Sequence, residues 1–304
     1  MDLLYARGRH QNNRRHARPP LTLGMDFAGE VVHAPAGHAL APGTRVYGSA
    51  PGAFAEWVAV PVGAAAGLRR VPRGWSAAEA CAVGASGAVS LGTWRRGGTV
   101  RKGEWVLVTG ATGGLGVYAV QIAARYYGAR VIGLVGPQGA AEKEELLMAS
   151  GCEAVVRYDL PHWEDSVREI AGGEGVHMVY DGVGMVESCL KCCRYGGMVV
   201  IVGFAGRDGD IEKIRANRIL LKSAGVTGFR FGETARRDPG KARQILLEFD
   251  GLVNQGMITP IVYKPEKEYR GVEDIPRALL DLQAKKVWGR SVITIADESD
   301  RSRL

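Results

Sequence analysis

Apolar positions along the chain follow two rhythms. From Phe27 to Val71, short apolar runs are broken by proline and glycine: Phe27–Val32, Thr44–Gly48 and Phe54–Val60. Runs of this kind predict short antiparallel strands of a small barrel-like domain. After Ser76 the pattern turns helical, with Ser76 as N-cap and Glu79 as its capping-box partner. From Val106 onward, compact apolar runs alternate with helical stretches. Strands are predicted at Val106–Val108, Val131–Val135, Ala154–Val156, Val176–Tyr180, Met198–Val202 and Ala224–Thr227. Helices are predicted between them at Val117–Tyr127, Glu142–Ser150, Trp163–Ala171 and Met185–Cys193. That alternation specifies an α/β fold with a doubly wound parallel sheet. Beyond Pro239 the pattern gives a helix through Leu252, a strand near Ile258–Tyr263, a helix over Glu273–Gln283 and a last strand at Val292–Ile295.

The junction after Val108 carries the most chemistry. Trp105-Val-Leu-Val-Thr109 ends in Gly110-Ala-Thr-Gly-Gly-Leu-Gly116 and leads straight into an apolar helix. A strand, a tight turn and a helix N-terminus in that order leave backbone N–H groups and a helix dipole aimed at an incoming pyrophosphate. Gly113 and Gly116 fall where the second and third glycines of a dinucleotide fingerprint lie, and Ala111 takes the first place. A purely structural strand–helix turn is the alternative. Residues 105–124 carry no charge, yet glycines in the middle of the run favour a buried strand–turn–helix unit over a membrane span.

Composition changes this picture little. The chain has 304 residues, 46% hydrophobic and 23% charged, and its 43 glycines suit a protein with many tight turns. Part of the +7 net charge sits in Arg7–Arg18, where no aromatic residue alternates with the arginines. A solvated loop is the simpler reading, and nucleic acid is not the expected partner. The five cysteines are odd in number and show no framework spacing, which points to a reducing, cytoplasmic compartment. Cys189, Cys192 and Cys193 fall on a predicted helix with no second cluster to complete a tetrahedral metal site. Met1-Asp-Leu-Leu-Tyr-Ala-Arg7 has no apolar core of the signal-peptide kind.

Taken in order, several segments resemble the medium-chain dehydrogenase/reductase superfamily, in its zinc-free quinone oxidoreductase (ζ-crystallin-like) branch. They are Gly24-Met-Asp-Phe-Ala-Gly-Glu-Val-Val32, Pro42-Gly-Thr-Arg-Val-Tyr-Gly48, Gly52-Ala-Phe-Ala-Glu-Trp-Val58, Ala111–Gly116, Tyr180-Asp-Gly-Val-Gly184, Gly196–Gly203 and Val287-Trp-Gly-Arg290. The resemblance implies a Rossmann domain over 86–253 and a GroES-like β domain over 1–85 and 254–304. The latter is shortened at its N-terminus relative to the family, and the family's Asn-Pro before Asp2 is absent. Where zinc members carry Gly-His-Glu, this chain reads Gly24-Met25-Asp26, so no metal is expected.

The resemblance further implies NADPH as cofactor. No carboxylate ends the second strand, which reads Gly133-Leu-Val-Gly-Pro-Gln-Gly139, and a carboxylate there is the usual partner of an NAD ribose. Gly136, Lys143 and Tyr158 match the family's surroundings of the 2′-phosphate. A surface lysine and a strand-end aromatic are their plainer readings. Ala111, Thr112, Gly113, Gly114, Leu115 and Gly116 are the expected pyrophosphate turn. Ser86, Val202, Gly203, Phe204, Thr227, Gly228 and Phe229 are the expected nicotinamide surroundings. In the substrate pocket Leu4 replaces a usual tyrosine, and His10 stands where a second tyrosine often lies, as hydrogen-bond donor, proton source or plain exposed loop residue.

The implied activity is hydride transfer from NADPH to a quinone or α,β-unsaturated carbonyl. A non-catalytic NADPH-binding protein, with or without RNA contact, and an enoyl reductase acting on thioester-linked chains are the alternatives. A homodimer through the edge segment Ser223–Phe229 is the expected assembly.

Overall fold

The computed structural model describes residues 2–9, 20–61, 68–207 and 211–296. The chain forms two compact units: Met1–Ala85 with Pro260–Leu304, and Ser86–Thr259.

In the first unit, β1 (Asp26–Glu30), β2 (Arg45–Ser49) and β3 (Arg69–Arg70) form an antiparallel sheet in that order. Register pairs Asp26 with Ser49 and Tyr47 with Arg69, whose guanidinium lies 4.3 Å from the Tyr47 ring centroid. The expected strand at Phe54–Val60 does not form: its residues are irregular, and the third strand is the short Arg69–Arg70 instead. The start of the segment is held to the Leu23–Gly24 backbone. The Phe54 N–H donates to Leu23 O at 2.9 Å, and Gly24, at φ +90°, leaves room for it, since a Cβ there would fall 2.4 Å from Phe54 N.

Ser76 caps the helix Ala77–Val83 in a full capping box with Glu79. The Asp26 carboxylate gathers the unit: it accepts from the Ser49 hydroxyl, the Arg290 guanidinium and, at 3.4 Å, the Ala85 N–H. The strands expected near Ile258–Tyr263 and Val292–Ile295 reduce to isolated bridges, Val262 with Arg290 and Arg270 with Thr294. Single bridges, unlike ladders, leave no continuous strand. The helix Ile275–Gln283 carries Pro276 in its first turn, where a missing N–H costs nothing.

The second unit holds a six-stranded parallel sheet: β4 (Trp105–Thr109), β5 (Arg130–Val135), β6 (Ala154–Arg157), β7 (Val176–Asp181), β8 (Cys193–Ile201) and β9 (Gly225–Gly228). Its order, β6-β5-β4-β7-β8-β9, reverses direction between β4 and β7, as in a doubly wound dinucleotide-binding sheet. β4 is buried throughout because helices cover both faces, which explains its unbroken apolar run. Leu107, Ile132, Leu134, Val179, Leu190 and Val199 are the centre of one core.

The predicted helix Val117–Tyr127 is α-helical over Gly116–Gln121 and widens into a π-turn at Ile122–Tyr126. Beside that turn, Gln121 grips Thr259 in both directions: Nε2 donates to Thr259 O at 3.0 Å, and Thr259 N–H donates to Oε1 at 2.8 Å. Arg125 adds donations to Met257 O and Thr259 Oγ1. These bonds keep the chain with this unit through Thr259, later than the expected crossing at 254.

Candidate functional site: the carboxyl edge of the parallel sheet

The sheet reverses its winding at β4 and β7, and ligands of open α/β sheets bind outside the carboxyl ends of the strands at such a point. The turn after β4 occupies that place. Gly110 takes φ +58°, the Gly113 N–H closes back on Gly110 O at 2.9 Å, and the Ala111 N–H reaches Leu134 O of β5 at 3.3 Å. A side chain at Gly116 has no room: its Cβ would lie 2.2 Å from Gly110 O and 2.8 Å from Ala111 Cα. The close approach brings the helix start down onto the turn. Among the described residues, no acceptor takes the N–H groups of Gly114, Leu115 and Gly116. Three such amides at a helix start, with its dipole behind them, suit an anion.

Neighbouring side chains fix the turn from below. Ser90 Oγ donates to Leu115 O at 2.9 Å and lies 3.3 Å from the Tyr180 hydroxyl. Trp94 Nε1 donates to Ala119 O at 3.0 Å. Both project from the helix Ser86–Gly97, whose first residue, Ser86, is buried.

The second organiser is Asp181, fully buried at the end of β7. Its Oδ1 accepts from Thr109 Oγ1 at 2.8 Å and from the Val183 and Gly184 N–H groups. Its Oδ2 accepts from the Met185 N–H at 2.9 Å. The Thr109 hydroxyl in turn accepts from the Gly182 N–H at 3.1 Å. One carboxylate and one hydroxyl thus tie the end of β4 to the loop after β7. Neither Asp181 nor Ser90 was singled out by sequence reasoning. Asp followed by Gly-Val-Gly is an Asx-turn signal and announces the first; nothing local announces the second.

The remaining expected cofactor residues lie along the same edge. Gly136 follows β5, and Tyr158 follows β6, its N–H donating to Val135 O at 3.1 Å. Lys143, on the helix Ala140–Ser150, is 7% exposed, and its Nζ donates to Gln138 O at 2.5 Å. The N–H groups of Val202 and Gly203 both reach Asp181 O, at 2.8 and 3.4 Å, and Phe204 is half-exposed. The Thr227 hydroxyl accepts from Arg96 Nε at 3.1 Å. The Phe229 ring is buried against Gly92, where a Cβ would meet it at 2.5 Å, so Phe229 offers this edge its backbone only. Leu4 sits half-buried in the helix Asp2–Ala6 of the first unit. His10 and most of the basic Arg7–Arg18 segment lie outside the described residues.

The comparisons agree with this geometry. The family model described as zinc-binding dehydrogenase matches residues 114–248, and that of the alcohol dehydrogenase GroES-like domain matches 1–73. A probable oxidoreductase from Mycobacterium abscessus shares 30% identity and a TM-score of 0.80, over 96% of this chain and 85% of that one. The chain belongs to the medium-chain dehydrogenase/reductase family, in its quinone oxidoreductase branch. A quinone oxidoreductase-like protein 2 homolog from Nematostella vectensis is 32% identical over 80% of this chain, which spans 65% of that relative's length. A mycobacterial structure complexed with NADPH is similar at 27% identity and a TM-score of 0.80, over 97% of this chain and 88% of that chain.

Zinc, which the first family description names, does not fit the donors among the described residues. At the Gly24-Met25-Asp26 position the methionine is a poor zinc ligand, and the Asp26 carboxylate is already taken by Ser49, Arg290 and the Ala85 N–H. Among the described residues, no group of three His, Cys, Asp or Glu side chains could hold a metal ion. No described helix is long and apolar enough to cross a membrane.

Proposed function

We propose that this chain is an NADPH-dependent, zinc-independent oxidoreductase that reduces a quinone or an α,β-unsaturated carbonyl. The observation that carries the reading is the turn Gly110–Gly116, with its open amides and its backbone approach too close for any side chain at Gly116. Similarity to a relative named for quinone reduction and to a structure complexed with NADPH supports it.

Binding in this reading is divided along the edge. The amides of Gly114, Leu115 and Gly116 take the pyrophosphate, with Ala111, Thr112 and Gly113 shaping the turn. Gly136, Lys143 and Tyr158 surround the adenosine end. Ser86, Val202, Gly203, Phe204, Thr227, Gly228 and the Phe229 backbone flank the nicotinamide, which when bound supplies the hydride. The protein contributes orientation and exclusion of water, and an already electrophilic substrate needs no Lewis acid. Leu4 and His10 belong to the substrate end, with His10 donating a hydrogen bond or a proton to the carbonyl oxygen.

The test is steady-state turnover: NADPH absorbance followed with a small quinone, a free enone and an enoyl thioester. NADPH loss with the quinone or the enone is expected. Tight NADPH binding without turnover would favour a non-catalytic binding protein, and turnover of the thioester alone would favour an enoyl reductase.

A further inference from the structure

The turn after β4 has a support that its own fold does not require. Ser90 lies in the middle of the helix Ser86–Gly97 and is fully buried. A helical hydroxyl ordinarily bonds the carbonyl four residues back. Thr93 does so, its Oγ1 donating to Val89 O at 2.8 Å. Ser90 instead crosses to the helix Gly116–Gln121, where its Oγ donates to Leu115 O at 2.9 Å. That carbonyl is already satisfied, since the N–H groups of Tyr118 and Ala119 donate to it at 3.1 and 3.0 Å. A carbonyl oxygen has two lone pairs, so Ser90 is a third donor where helix formation needs none.

The Ser90 hydroxyl is itself backed. Its one proton is spent on Leu115 O, so toward the Tyr180 hydroxyl, 3.3 Å away, it can only accept. Tyr180, near the end of β7, is fully buried, and burial pushes its phenol above the ordinary range and keeps it protonated. Thr93 lies beside the same phenol with its own proton spent on Val89 O, so Tyr180 is the donor of the group. The order runs from Tyr180 to Ser90 to Leu115 O, each donor polarising the next. Leu115 C=O and Gly116 N–H belong to one planar trans peptide and point in opposite directions. Electron density drawn toward the oxygen leaves the amide proton more positive. That amide is one of the three at this turn with no acceptor among the described residues.

We infer that Ser90, backed by Tyr180, is a positioning residue for anion binding: it fixes and polarises the Leu115–Gly116 peptide so that its N–H meets a dinucleotide pyrophosphate. The inference rests on the NADPH reading above, and Ser90 acts only through that peptide. Without the hydroxyl the Leu115 carbonyl keeps its two backbone donors. The helix therefore survives the loss, and the effect falls on the ligand.

Calorimetric titration of NADPH, and of 2′-AMP, which lacks the pyrophosphate, tests this on the wild type, Ser90→Ala, Tyr180→Phe and the double variant. Circular dichroism confirms that each is folded. Ser90→Ala should lose on the order of five-fold in NADPH affinity, the worth of one neutral hydrogen bond. Tyr180→Phe should lose less, about two-fold, because it removes only the polarisation of Ser90. Affinity for 2′-AMP should stay unchanged in both. The double variant should lose no more than Ser90→Ala alone, because Tyr180 acts only through Ser90. A merely structural role would move the unfolding midpoint and leave the ratio of the two affinities alone. An unchanged ratio in Ser90→Ala, or additive losses in the double variant, would overturn the relay while leaving the NADPH reading standing. A folded wild type that gives no heat with NADPH would overturn that reading and this inference together.

Discussion

Asp181 shows how much a single buried side chain can organise. Its carboxylate receives the Thr109 hydroxyl and three backbone N–H groups. Replacing it with alanine leaves those donors unpaired in a fully buried place. At roughly 1–3 kcal/mol for an unmade buried hydrogen bond, partly relieved by relaxation, the expected loss is about 3–5 kcal/mol. Urea unfolding of Asp181→Ala checks it; a loss under about 1 kcal/mol would show that the loops do not depend on the carboxylate. The cysteines give a pH prediction at the same scale. Burial pushes the Cys152 thiol up to about 12 and the Cys81 thiol up to about 11, from 9.0 in each case. Above the unfolded value, the unfolded chain releases protons that the folded one keeps, so stability falls as pH rises from about 9 toward 11–12. The slope is up to about 1.4 kcal/mol per pH unit for each thiol. Cys152→Ala should flatten that decline in urea unfolding; an identical pH profile would contradict the assignment.

At the scale of elements, the parallel sheet was legible because buried strands are written as continuous apolar runs closed by glycine. All six expected strands formed, and the turn after β4 stands where its glycines placed it. The smaller unit was less legible for a physical reason. Phe54–Val60 alternates like a strand but pairs with no described neighbour, whereas the two-residue Arg69–Arg70 is too short and too charged to read as one. The tail carries bridges instead of ladders. The π-turn at Ile122–Tyr126 left no mark in the apolar period, and the Gln121 grip on Thr259 spans too much sequence for local pattern to show it. That grip predicts its own cost. Gln121→Leu keeps the volume but strips both partners from the Thr259 backbone, and about 2–4 kcal/mol of stability should go with them. A midpoint shift in urea with unchanged m-value is the expected signature.

Among the described residues, an exposed pair of leucines precedes the last strand of the parallel sheet. β9 closes the sheet with an open edge, and on the preceding helix Ala216–Lys222 the side chains of Leu220 and Leu221 are 80% and 73% exposed. An edge strand, unpaired on one side among the described residues, and exposed leucines on the helix before it offer a pairing surface. We propose that a second copy covers it. Sedimentation should find a dimer that Leu220→Glu with Leu221→Glu converts to monomer; a monomeric wild type would contradict this.

The proposed function depends on the turn after β4, and direct titration tests it most simply. Calorimetry of NADPH into the folded protein should show one site per chain, and Gly116→Val, folded by circular dichroism, should lose that heat because its side chain collides with Gly110 O. A well-folded wild-type sample that gives no heat with NADPH or NADH would contradict the account at its root.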